Sequence, residues 1–100
     1  MKRYAVVWRP RAQADLLALY DWIAARADAE IAFQYTSRIE SHVAALATFP
    51  DRGRPRDDLL TGLRTIPYRG RTVIAYRVRA DEVEILRLVH AGQDWGDVMN

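Results

Sequence analysis

Apolar side chains recur at three- and four-residue steps from Arg11 to about Ala27, through Leu16, Tyr20, Ile23 and Ala27, with Leu17, Leu19 and Ala24 widening the stripe. That spacing predicts an amphipathic helix. Pro10 suits its first turn, and Asp15 and Arg26 carry the charge signs that the two ends of a helix dipole favour. Asp28 reads as the N-cap of a second helix, whose inner face is Ala32, Tyr35, Ile39, Val43 and Leu46 and whose end is Phe49-Pro50. A break this short implies an antiparallel helical hairpin. Strands are predicted at residues 3–8, 63–68, 71–79 and 82–90, the first with loose alternation and the second weakened by Pro67. Arg69-Gly70 and Ala80-Asp81 mark the tight turns between the last three. The order is β-α-α-β-β-β, an α+β fold with the helical hairpin packed on a twisted antiparallel sheet.

The alternation in the last two strands is poor. Ile74, Tyr76 and Val78 oppose Val73, Ala75 and Arg77; Val83, Ile85, Arg87 and Val89 oppose Glu84, Leu86, Leu88 and His90. A hairpin of helices covers one face of a sheet, and a half-solvated sheet alternates cleanly. The second face is therefore expected to meet something other than water. One hundred residues make a single domain, 1–100, with residues 91–100 expected as a flexible or partner-docked tail that Trp95 must either dock or use for binding. A domain of this size has little interior, so a partner covering apolar surface adds stability that matters.

Charge adds a second asymmetry. Between Arg52 and Arg79 eight arginines face only Asp57 and Asp58, a local charge of +6 (8 − 2) in a chain whose net charge is +2. Lys2 is the only lysine. Arginine's planar fork suits carboxylates, phosphates and interfaces better than an ammonium does. The chain has no cysteine, which excludes disulfides and thiolate zinc sites. Its N-terminus has no signal-peptide pattern, and no stretch has the length of a membrane span, so a cytoplasmic protein is expected.

Familiar catalytic and cofactor motifs are missing. The glycines are isolated turn residues, His42 and His90 lack metal-ligand spacing, and Asp57-Asp58 reads as a turn and salt-bridge device. No catalytic residue, metal or cofactor is assigned. Electrostatic recognition of an anion, a nucleic acid or an acidic protein surface remains, with a nuclease open as an alternative because arginine stabilises a phosphorane and tyrosine or histidine moves a proton.

The segment Phe49-Pro50-Asp51-Arg52-Gly53-Arg54-Pro55-Arg56, followed by Gly62-Leu63-Arg64, Tyr76-Arg77-Val78 and Val83 to His90, resembles the ParE branch of the RelE/ParE toxin superfamily. Arg9-Pro10 and Asp15-Leu16 extend the resemblance over almost the whole chain. It implies the toxin of a type II toxin–antitoxin system, a class associated with plasmid stabilisation and growth inhibition. The partner implied is a ParD-like antitoxin of ribbon-helix-helix type, encoded next to it, with operator DNA reached only through that antitoxin. ParE proteins are described as poisoning DNA gyrase and RelE proteins as cleaving ribosome-bound mRNA. The stretch Gly92 to Asp97 lacks the arginine and tyrosine of the nucleases, which favours the gyrase inhibitor. The alternatives are a RelE-type endonuclease and an inactive partner in a repressor complex. The target surface is expected at Arg64, Arg77, Arg87, His90 and Trp95. The antitoxin surface is expected at Leu16, Leu19, Trp22, Val73, Ala75 and Ile85.

Overall fold

Strand β1 (Ala5–Trp8) leads into helix α1 (Pro10–Arg26) and helix α2 (Ala29–Ala44), in a computed structural model that describes residues 2–90 and Trp95. Two 3-10 turns at 45–47 and 50–52 follow, then β2 (Arg54–Pro55), β3 (Leu63–Tyr68), β4 (Thr72–Arg79) and β5 (Glu82–His90). Pro10 opens α1, and the Asp28 carboxylate caps α2 by accepting from the Ile31 N–H at 2.8 Å. The hairpin of helices expected from the periodicity is present, and it packs on a five-stranded sheet of order β1-β5-β4-β3-β2.

Two features of the sheet differ from the sequence expectation. β1 runs parallel to β5, with Ala5 opposite Glu82 and Trp8 opposite Ile85, so the sheet is mixed. The helical hairpin supplies the long crossover that a parallel pair requires. β2 is an added two-residue edge strand on β3, and Pro55, which has no N–H to donate, is tolerated there because it lies at the sheet edge.

The core lies between hairpin and sheet, where Ala12, Leu19, Ile39, Val43 and Leu46 meet Tyr68, Ile74, Tyr76, Val83, Ile85 and Leu88. Ile85 and Leu88 share that face although they are three residues apart. The cause is a bulge: Ala75 pairs with Arg87 and Tyr76 with Ile85, leaving Leu86 as the extra residue. An extra residue reverses the in-out phase of everything beyond it. The poor alternation of β5 in the sequence is this bulge.

The opposite face carries Ala75 and, by strand register, Leu63, and both are fully buried. The connection before β3 is tied to the outer edge of that strand. The Arg56 N–H donates to the Leu63 carbonyl at 2.8 Å, and the Leu63 N–H donates to the Leu60 carbonyl at 2.9 Å. At Leu63 and Ala75 the second face is therefore closed to solvent within the chain. This corrects two assignments to a partner surface: Ala75 is sealed on the far face, and Ile85 is sealed beneath the helices, so neither presents a side chain to a partner. No helix among the described residues is long and apolar enough to cross a membrane.

Candidate binding surfaces

Arg64 sits on the helix side of β3, opposite Tyr76 of β4. Its Nη1 donates to the carbonyls of Gly53 at 2.7 Å and Asp51 at 3.1 Å. The Tyr76 hydroxyl donates to the Pro50 carbonyl at 2.6 Å and accepts from the Gly53 N–H at 2.8 Å. A Cβ on Gly53 would lie 2.4 Å from that hydroxyl oxygen, so glycine is required here for space. Burial raises the Tyr76 pKa against the opposing pull of the Gly53 N–H, so the phenol stays protonated and donates at neutral pH. The Phe49-to-Arg56 signature is therefore a loop clamped to the sheet, and Arg64 is part of the clamp.

Arg87 is also engaged within the chain. Its Nε and Nη2 hold the two oxygens of Asp15 at 2.7 and 3.0 Å, and Asp15 Oδ2 also accepts the Leu88 N–H at 2.9 Å. A single α1 carboxylate thus ties down both a guanidinium and a backbone donor at the bulge. The hydrogen bond from Arg87 to Asp15 raises the pKa of the guanidinium.

Arg77 belongs to a cluster around Glu84, whose carboxylate is nearly buried. Arg9 grips it with Nε at 2.8 Å and Nη2 at 2.7 Å, while Arg77 and Arg79 stand at 3.5 and 3.8 Å. Burial pushes the Glu84 pKa up, but the Arg9 hydrogen bond and the charges of the three arginines outweigh it and hold the carboxyl below its ordinary value. Arg77 and Arg87 line a common notch of about 360 Å³ with Arg9, Pro10, Arg11, Leu60 and Leu86.

The other end of the hairpin carries a larger apolar groove of about 670 Å³. Ala18, Leu19, Trp22 and Ile23 of α1 form one wall and Tyr35 of α2 another, with Arg71, Thr72 and His90 at the sheet end. Tyr35 shares a 3.4 Å hydrogen bond with Thr72 and meets the Tyr68 ring edge-on at 5.4 Å, which fixes the floor. Trp22 is 54% exposed, with the Arg26 guanidinium 4.1 Å from its ring centre. Leu17 on the same helix, and Ile31 and Phe33 on α2, are also exposed.

The expected target residues do not form one surface. Arg77 and Arg87 come together at the notch, Arg64 is held at the loop clamp, and His90 lies in the apolar groove. Trp95 is half-buried with the Arg56 guanidinium 5.8 Å from its ring. The rest of the expected tail lies outside the described residues. Of the expected antitoxin residues, Trp22 and Leu19 line the groove, the latter almost buried as part of its wall; Leu16 packs half-buried on the core, and Val73 is half-buried on β4. Asp57 and Asp58 act as the turn device expected of them: Asp57 accepts the Gly62 N–H at 2.9 Å and Asp58 holds Arg56 at 3.0 Å. Sequence reasoning missed Tyr35 and Arg71 as groove residues and Arg9 and Arg11 as notch residues. The pairing of Thr72 with His90 is the register that places Arg71 beside the groove, and a hairpin alignment could have found it.

Comparison with known proteins adds independent information. A family model described as the ParE toxin of the type II toxin–antitoxin system parDE matches residues 6–95. Toxin RelE2 of Caulobacter vibrioides is 35% identical over 88% of this chain and 96% of its own length. Toxin ParE1 of the same bacterium is 32% identical over 80% of this chain and 81% of its own length. Among solved structures, a chain of the chromosomal ParDE system from P. aeruginosa superposes with a TM-score of 0.78 at 28% identity, covering 88% of this chain and 96% of that one.

Proposed function

The chain belongs to the ParE toxin family within the RelE/ParE superfamily, the toxins of type II toxin–antitoxin systems, and from that premise we propose a non-enzymatic inhibitor of DNA gyrase held inactive by a ParD-like antitoxin in the cytoplasm. The match to the ParE model from residue 6 to 95 carries this reading. The geometry supports a protein partner. Apolar side chains stand on the outer surface of both helices, and exposed apolar area of that kind at a groove marks an interaction site. Trp22, Ile23 and Tyr35 offer the aromatic and aliphatic anchors, with Arg71 and His90 beside them for acidic or polar groups. An antitoxin tail that folds as it binds would place an apolar helix face in this groove; ordering that tail costs free energy that the buried area must outweigh.

The arginines bear on the choice between gyrase inhibition and RNA cleavage. Arg64 gives its Nη1 to loop carbonyls and Arg87 gives Nε and Nη2 to Asp15, so part of each guanidinium is already engaged within the chain. The similarity to toxin RelE2 keeps the endonuclease as a second reading. Purified chain added to a gyrase supercoiling and cleavage assay is expected to block supercoiling, with the block removed by the co-expressed antitoxin. Cleavage of mRNA on ribosomes with supercoiling untouched would establish the second reading instead.

A further inference from the structure

Thr72 is almost fully buried, at 1% exposure, yet it lines the groove at the open end of the hairpin. Its hydroxyl stands 3.4 Å from that of Tyr35, which lines the same groove. Hydroxyl-to-oxygen bonds are about 2.5–3.0 Å long, so this contact is slack and both groups keep hydrogen-bonding capacity. A buried hydroxyl is normally satisfied more closely than this. Arg71, the neighbour of Thr72 in the chain, lines the same end. Its backbone N–H donates to the Tyr68 carbonyl at 3.3 Å, but among the described residues its guanidinium has no carboxylate, carbonyl or ring partner. Three donors therefore meet at one end of a groove whose α1 wall, Ala18, Leu19, Trp22 and Ile23, is apolar.

The groove is also preformed. The Tyr35 ring meets Tyr68 edge-on at 5.4 Å, and Tyr68 meets His42 edge-on at 5.5 Å, so a row of three rings from α2 and β3 backs its floor. Its volume of about 670 Å³ falls within the range of small-molecule clefts, about 300–1,000 Å³, which are mostly apolar with a few placed polar groups. Among the described lining residues Arg71 is the one arginine and none is acidic, so the site balances a single negative charge. A planar guanidinium and two hydroxyls suit the coplanar oxygens of a carboxylate, and the Trp22 ring suits a flat apolar body. We infer that the groove is a small-molecule site for an aromatic monocarboxylate. The carboxylate lies on Arg71, Tyr35 and Thr72, and the ring lies against Trp22 and Ile23. The site does not depend on the toxin–antitoxin reading. Taken together with it, the ligand and an antitoxin helix claim the same space, and each excludes the other.

The test titrates 2-naphthoate into the full chain labelled with nitrogen-15, without antitoxin. The expected result is saturable movement of the Trp22 indole N–H and Arg71 Nε signals together. The neutral analogue 2-naphthamide is expected to bind about tenfold more weakly, as loss of one charge-assisted contact implies. Arg71→Gln should weaken 2-naphthoate by a similar factor, and because Arg71 is exposed the variant keeps its fold. Tyr35→Phe, which retains the ring and removes the hydroxyl, should weaken it too. Equal affinity for the amide, or full affinity in Arg71→Gln, overturns the inference. So does movement of Trp22 without Arg71, which marks an apolar patch alone, or inorganic phosphate that competes as strongly as 2-naphthoate. Absence of saturable shifts also overturns it. Each of these failures leaves the antitoxin reading standing, since that is measured separately on the reconstituted complex.

Discussion

Tyr76 and Gly53 show how one tight contact gives meaning to a sequence signature. Gly53→Ala drives a Cβ against the Tyr76 hydroxyl, and overpacking of that kind costs about 1–3 kcal/mol. Tyr76→Phe leaves the Gly53 N–H and the Pro50 carbonyl without their partner, a loss of about 1–3 kcal/mol. Urea unfolding monitored by tryptophan fluorescence is expected to show both as a lower midpoint with little change in slope, and the double variant as less than additive. Asp15→Ala removes the partner of a largely buried guanidinium and of the Leu88 N–H, which should cost about 3 kcal/mol by the same measurement. Glu84 gives a pH signature. Its folded pKa lies below the ordinary carboxylate value, so its ionisation contributes stability above the unfolded pKa, about 4.3, that is lost as pH falls through the folded value. Melting temperatures of the chain and of Glu84→Gln are expected to differ at neutral pH and to converge in acid.

The helices and strands show where local sequence was legible and where it was not. Both helices were readable because their apolar positions sit within one or two turns of each other, and Pro10 and the Asp28 cap mark their starts; α2 ends at Ala44, ahead of the expected stop at Phe49-Pro50. The turn at Arg69-Gly70 was readable for the same reason, and both residues take positive φ, as a type I′ hairpin turn requires. The second hairpin turn carries Ala80 at φ +51. A left-handed conformation costs an L-residue about 1–2 kcal/mol, so Ala80→Gly is expected to raise the melting temperature by removing part of that strain. Leu86 was not readable as a bulge. A bulge is a property of two strands in register, and β5 alone reads as a strand of mixed faces.

The molecule as a whole divides its apolar surface between a sealed interior and a groove left open at one end of the hairpin. Trp22→Ala should leave the unfolding midpoint almost unchanged, because the side chain is more than half exposed. It should nevertheless weaken the complex with a co-expressed antitoxin by about 2 kcal/mol or more, as loss of a central aromatic anchor does, which calorimetry on the reconstituted complex would measure. Sequence by itself determined the helical hairpin, three of the four longer strands as a run of antiparallel partners, and the chemical bias toward arginine. These follow from period, capping and composition, which act between residues close in the chain. Only the tertiary structure decided that β1 joins the sheet in parallel, that Leu63 and Ala75 are sealed on the far face, and that the arginines serve separate ends. Asp15 and Arg87 lie 72 positions apart, and no local pattern records that they meet. Their pairing and the Arg64 clamp depend on where the packed core brings the strands, so whether an arginine is a strut or a contact surface is settled by packing.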